Sequence, residues 1–244
     1  MCAFLCRHVQ AQENVFFVSG SYVRGVLSLG SVNNTLDRTV FDWNRFFGLS
    51  MEPFEHFSTL STVTGRIGYR FDRDYEIFAS YFRFDRELSN GFQGPATDGT
   101  RYDLSLRRSL GSENAAVGIT YFFPPLRYDA EAYISVEVGS VHGFAEANTH
   151  GTHTVKLNDA DSTYVFHSAD AKYSKTRMFV GVGTGASLAL FPSVKVAADL
   201  VYKLAKLGKL DGTITVEQGS FEEPSISEFD FSVLLFCIGL RIEF

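Results

Sequence analysis

The residues of this chain that could catalyse a reaction gather between positions 142 and 170. His142, His150, His153 and His167 stand there with Ser168, Asp159, Asp161 and Asp170. A histidine oriented by a carboxylate can activate a water or a serine hydroxyl. Neighbouring residues of an extended segment point to opposite faces, however, so His167 and Ser168 do not form a local dyad. His150-Gly-Thr-His153 reads as a solvated turn, at best a weak metal site. Three cysteines build no disulfide framework, and no Cys/His spacing suggests zinc. The expectation is therefore a protein that is not an enzyme and uses no cofactor and no metal.

A second set of charged side chains is distributed differently, at alternate positions within apolar runs. It comprises Arg66, Arg70, Arg101, Asp103, Arg107, Glu131, Glu137, Lys195, Asp199, Lys203, Arg241 and Glu243. Both signs occur in comparable number, which suits pairing with one another better than recruiting a ligand of one charge. The chain as a whole is mildly acidic, with 28 Asp and Glu against 22 Lys and Arg. A nucleic-acid binder would carry a clustered basic surplus, so nucleic acid is not expected as a partner.

The elements that carry these charges alternate with period two, the signature of β-strands. Leu234, Phe236, Ile238, Leu240, Ile242 and Phe244 share one face of the terminal segment, and Arg241 and Glu243 lie on the other. The same alternation recurs over 15–29, 63–71, 74–86, 101–107, 115–123, 131–138, 178–188 and 194–204, and more weakly over 162–174. The faces of 15–29 and 74–86 switch midway, which predicts a bulge in each. Altogether the pattern predicts an all-β chain of about ten strands, with eight or twelve satisfying the same alternation. Many run to ten residues or more, whereas soluble strands peak at about 5–6 and membrane-barrel strands need about 9–11. The joints at 72–73, 111–114 and 192–193 read as tight, and those at 30–56, 87–99 and 209–227 as long. Alternating short and long connections are the mark of a closed antiparallel barrel crossing a membrane. A ten-strand count sets the long 143–161 segment on the wrong side of that scheme.

A lipocalin-like soluble barrel also alternates, with the apolar face inside. The membrane version is favoured by 24 Phe and 11 Tyr, several of them near strand ends: Tyr69, Phe71, Tyr75, Tyr102, Tyr121 to Phe123, Tyr202 and Phe244. In that version the twelve charges point into a narrow bore and close it through salt bridges.

The terminal strand carries a more specific likeness. An alternating apolar face ending on a C-terminal Phe, here Ile238, Leu240, Ile242 and Phe244, resembles the insertion signature of bacterial outer-membrane β-barrel proteins, the small OmpA-like and porin-like barrels. The resemblance implies an outer-membrane location, contact with membrane lipid and lipopolysaccharide, and reading of those four residues by the barrel-assembly machinery. The start of the chain departs from that family. Met1 to Cys6 is apolar and Arg7-His8 follows, an inverted and shortened export signal; Val9-Gln10-Ala11 offers the small residues of a cleavage site. Residues 1–14 are read as the remnant of a signal, with a plain tail as the alternative, and 15–244 as one barrel domain.

Loop 30–56 holds the only Trp. Val40, Trp43, Phe46 and Phe47 are spaced for one face of a short helix, with Phe41, Phe54 and Phe57 nearby. Such a loop either caps the barrel mouth or presents a surface for a ligand. The functional expectation is a mostly plugged barrel with a structural or surface-interaction role. A narrow passive channel is the alternative, and an outer-membrane hydrolase stands behind it.

Overall fold

The computed structural model describes residues 14–97, 99–124, 130–157 and 160–244. Eight long strands form a closed ring: β1 (Val15–Leu27), β2 (Thr59–Arg70), β3 (Tyr75–Pro95), β4 (Arg101–Phe122), β5 (Ala130–Leu157), β6 (Ala160–Phe191), β7 (Val194–Leu204) and the terminal strand, Val233–Glu243. Each pairs antiparallel with its neighbours, and the terminal strand closes the ring between β7 and β1. Four shorter strands lie between β7 and that terminal strand: β8 (Lys206–Lys209), β9 (Asp211–Val216), β10 (Gly219–Glu222) and β11 (Glu228–Asp230). The terminal strand is therefore β12. A helix, α1 (Gly30–Phe47), joins β1 to β2.

Both ends of the described barrel, near Val15 and Phe244, lie beside the tight joints at 71–74 and 192–193. The helix and the long excursions occupy the opposite end. β1, β7 and β12 are 13, 11 and 11 residues long, whereas β5 and β6 run to 28 and 32. Spanning a bilayer takes about 9–11 residues, so β3 to β6 continue far past any membrane as a wall. β9 adds to the wall's edge on β6, and β10 adds to β9.

A band of outward apolar residues encircles the lower barrel. It includes Phe16, Val18, Tyr22 and Val26 of β1, where Arg24 shares the outward face, Val63 and Ile67 of β2, Ile134 to Val138 of β5 and Leu234 to Ile242 of β12, all on the outward parity of their strands and 44–70% exposed. Phe16, Tyr69, Phe71, Tyr75, Tyr121 and Phe123 ring its lower border, several in ring contact. Above the band the sense of the alternation inverts. There the outward residues are polar, and the inward ones form a dry core in which Leu106, Leu110, Val141 and Leu210 are fully buried.

That inversion explains where the sequence reading differs from the structure. Residues 101–107 and 115–123 are one strand, not two. Gly111-Ser112-Glu113-Asn114 has the composition of a turn, but Ser112 and Asn114 face inward and bond each other (2.8 Å), while Glu113 faces outward to Arg83 (2.9 Å). Likewise 162–174 and 178–188 are both β6. Ten strands become eight, and 143–161 becomes part of the outer wall. The bulges expected in 15–29 and 74–86 are absent, since both strands keep continuous register with their partners. Their hydropathy switches while their facing does not: inward Ser19 and Ser21 of β1 line a polar cavity. Register shifts within the ring sit instead at 151–152 and 189–191.

α1 is longer than the sequence suggests. Val32, Leu36 and Val40 form its buried stripe, which Trp43 and Phe47 continue against the core. Phe46 is not on that face; it is 74% exposed, and Phe41 is 61% exposed. The helix ends at Gly48, whose φ of 64° is left-handed. A Cβ there would also strike the Thr97 hydroxyl, so this end is set by glycine.

Candidate functional site: the closed bore and the outer wall

The bore within the lipid band is filled by one connected ionic chain. Arg70 on β2 meets Glu131 on β5 at 3.0 Å, and Lys195 on β7 meets the same carboxylate at 2.8 Å. Lys195 continues to Glu243 on β12 at 3.0 Å, Glu243 to Arg241 at 2.8 Å, and Arg241 to Glu76 on β3 at 2.6 Å. Phenylalanine rings pack against the cations: Arg70 lies 3.6 Å over Phe122, and Arg241 3.8 Å over Phe17. Higher up, Lys203 on β7 pairs with Glu137 on β5 at 2.6 Å, and the Tyr133 hydroxyl donates to Asp199 at 2.7 Å. Arg66 stacks over Phe78 at 4.2 Å. The space left among Arg66, Asp199, Arg241, Ser19 and Ser21 is a small cavity of about 30 Å³, room for ordered water and for nothing larger.

Nine of the twelve charges named from sequence are thus gathered inside the barrel. Arg101, Asp103 and Arg107 are not, and that placement is corrected: all three are exposed on the outer face of β4, above the lipid band. Arg107 pairs there with Glu87, and Asp103 accepts from Gln93 at 3.2 Å. Their parity matched the buried set, but above the band charged residues face water and Leu104 and Leu106 face in. Glu76 and Tyr133 were missed. Glu76 sits one residue into β3 beside Tyr75, where its inward parity with Phe78 and Ser80 was the available signal.

Over the ionic layer the bore is dry. Val23, Phe82, Phe179, Val201 and Leu235 are buried there, and the apolar core continues up to α1. The helix rises along the inner face of the wall to an aromatic cluster at its top. Trp43 contacts Phe47, Phe166 and His167 at 5.0, 5.9 and 5.3 Å, and Tyr102 and His153 join through Phe166. Tyr102 therefore belongs to this cluster and not to a lipid girdle. Ile238, Leu240, Ile242 and Phe244 lie on the lipid face of β12, and the Phe244 amide donates to the Phe16 carbonyl at 2.8 Å.

The described histidines make separate contacts. His142 bonds Thr176 at 2.9 Å on the wall's outer face, His153 stacks on Tyr164, and His150 is exposed opposite Ser168. Asp170 is exposed on β6; Asp159 and the Asp161 side chain lie outside the described residues, as do Cys2, Cys6 and the rest of segment 1–13. Among the described residues no three His, Cys, Asp or Glu side chains gather as a metal would require.

Partial burial, then the charge of nearby Arg108, holds the His167 imidazole below its ordinary pKa. A depressed histidine favours the open, solvated state on protonation, so its stabilising share is present above about pH 6.5 and is lost as pH falls below it. Trp43 is the only tryptophan, so its emission should shift to the red on acidification from neutral pH. His167→Gln should flatten that titration; an unchanged one would assign it elsewhere.

A closed ring of antiparallel strands with an outward apolar band, an aromatic border, a polar bore and short turns at the end where β1 begins and β12 ends defines a membrane-spanning β-barrel of the outer-membrane type. No helix among the described residues is long and apolar enough to cross a membrane. No protein-family model matches the sequence, and no curated protein matches it. Solved structures do. OprG from Pseudomonas aeruginosa is similar over 95% of this chain and 96% of its own, with a TM-score of 0.48 and 7% identity. The attachment invasion locus protein Ail of Yersinia pestis is similar over 95% and 99%, with a TM-score of 0.41 and 11% identity. Neisserial surface protein A is similar over 95% and 97%, at 0.40 and 14%. These likenesses concern the fold alone.

Proposed function

We propose that the protein is a non-conducting, non-catalytic anchor of the bacterial outer membrane that holds a rigid, helix-braced wall at the cell surface for interaction. One observation carries this reading: the bore is blocked twice, by the Arg70-to-Glu76 ionic chain within the lipid band and by the dry core above it. Ions crossing it would have to break buried ion pairs and then traverse packed Leu and Phe side chains. A barrel of eight strands is only wide enough for its own side chains.

Reconstitution into planar bilayers tests the proposal. The wild-type protein should give no steps in concentrated potassium chloride. A steady, large, salt-dependent conductance would overturn the closed-bore reading and favour a narrow passive channel.

A further inference from the structure

Beyond the closed bore, the outer end holds an open cleft between α1 and the segment that follows it. After Gly48 the chain returns towards the membrane as a strap, 48–58, antiparallel to α1. Three rungs tie them together. Asn33 exchanges hydrogen bonds with the Phe57 main chain (2.9 and 3.3 Å), His56 meets both Asp37 carboxylate oxygens at 3.1 Å, and Asn44 exchanges bonds with the Met51 main chain (2.8 and 3.0 Å). Beside these rungs lies an open groove of about 800 Å³, lined from Asn44 and Met51 at its top to Ser58 and Thr59 at its foot. Val40, Met51 and Phe54 form its buried floor.

We propose that this cleft binds the neutral saccharide headgroup of a glycolipid standing in the same membrane leaflet. Phe41 presents an apolar ring to the cleft while 61% exposed, the kind of surface against which the C–H face of a hexose packs. Around it the rim mixes acceptors and donors: Asp37 with His56, and Glu55 with Arg86 at 3.0 Å. Each carboxylate already has a basic partner, so the rim offers hydrogen bonds to hydroxyls without the surplus positive charge that would select a phosphate.

Height selects the membrane source. The lower end of the cleft lies just above the lipid border: Thr59 lines it and is paired with Val26, one outward position beyond Arg24, the first charged residue on the outward face of β1. Phe41 lies about 16 Å along the helix from Gly30 at 1.5 Å per residue. A phospholipid headgroup layer is only about 5–7 Å deep on each side. A sugar headgroup rises past that layer into the cleft towards the ring; a phospholipid headgroup does not.

The inference rests on the membrane placement of the barrel but not on its closed bore, so a conducting barrel would leave it intact. Hydrogen exchange of the full chain in nanodiscs tests it. In phosphatidylethanolamine discs containing digalactosyl diacylglycerol, the amides of 49–59 should exchange at least fivefold more slowly than in discs without it. Phe41→Ala and Asp37→Asn should each abolish the difference; Phe41 is exposed, so its truncation leaves the core packed. Equal exchange with and without the glycolipid would overturn the proposal. So would equal slowing by phosphatidylglycerol, which would mark a phosphate site, or by free digalactose at the same concentration, which would mark a site for soluble sugar.

Discussion

Glu137→Ala is expected to destabilise the folded barrel by about 3–5 kcal/mol, the cost of leaving one member of a buried ion pair alone. The Glu137 and Lys203 side chains are 5% and 6% exposed and lie 2.6 Å apart. The ammonium is hemmed in by the rings of Phe82 and Phe179, 4.7 and 4.8 Å from their centroids, so water cannot replace the lost carboxylate without opening the core. Ser80 also donates to Glu137, at 3.3 Å, but has no charge to offer Lys203 in its place. Urea unfolding in lipid vesicles measures the loss. Adding Lys203→Met should recover most of it, because the pair and not the volume is what the single variant breaks. A change below about 1 kcal/mol would mean that the pair behaves as a solvated surface bridge, and the ionic plug would lose its support.

Leu200→Arg is the second large effect. Leu200 lies midway along β7 on the outward face and is 45% exposed. In a bilayer an arginine at that depth costs about 2–4 kcal/mol. Three residues on, Lys203 carries a charge on the same strand without that cost, because it faces in to Glu137. The variant should therefore lower the urea midpoint strongly in vesicles. If the outward face met water, Leu200→Arg would be neutral, and a neutral result would reverse the assignment of faces.

These two substitutions also mark what was legible in the chain. The outward and inward sets on β7 and β12 follow directly from alternation: Leu200 and Ile238 outward, Lys203 and Arg241 inward. Alternation also carries the aromatic border at Tyr69, Phe71 and Tyr121. It fails at Arg101, Asp103 and Arg107, because a strand that leaves the membrane keeps its period while water replaces lipid outside it. The polar face then turns outward, and period two contains no marker of where the exchange occurs. The same blindness divided β4 at Gly111 and divided β6 after Ser174. The helix was visible only in part. Val40, Trp43 and Phe47 recur at helical spacing, but Phe46 differs from Phe47 by one residue, a rotation of about 100° in a helix of 3.6 residues per turn, and only the docked helix shows which of them is covered.

By itself, the sequence determined the class of this protein: long strands of period two, an aromatic-rich apolar face, balanced charges on the other face and no apolar helix. Those follow from local chemistry, since each strand must satisfy lipid on one side and a narrow bore on the other. The tertiary structure alone decided the number of strands, the partners within the ionic chain, the height of the wall and the cleft beside α1. Each of those depends on register between segments distant in sequence. Arg70 and Glu131 are 61 residues apart and are brought together by the closed ring of strands; Asn33 and Phe57 are 24 apart and meet because the strap folds back along α1.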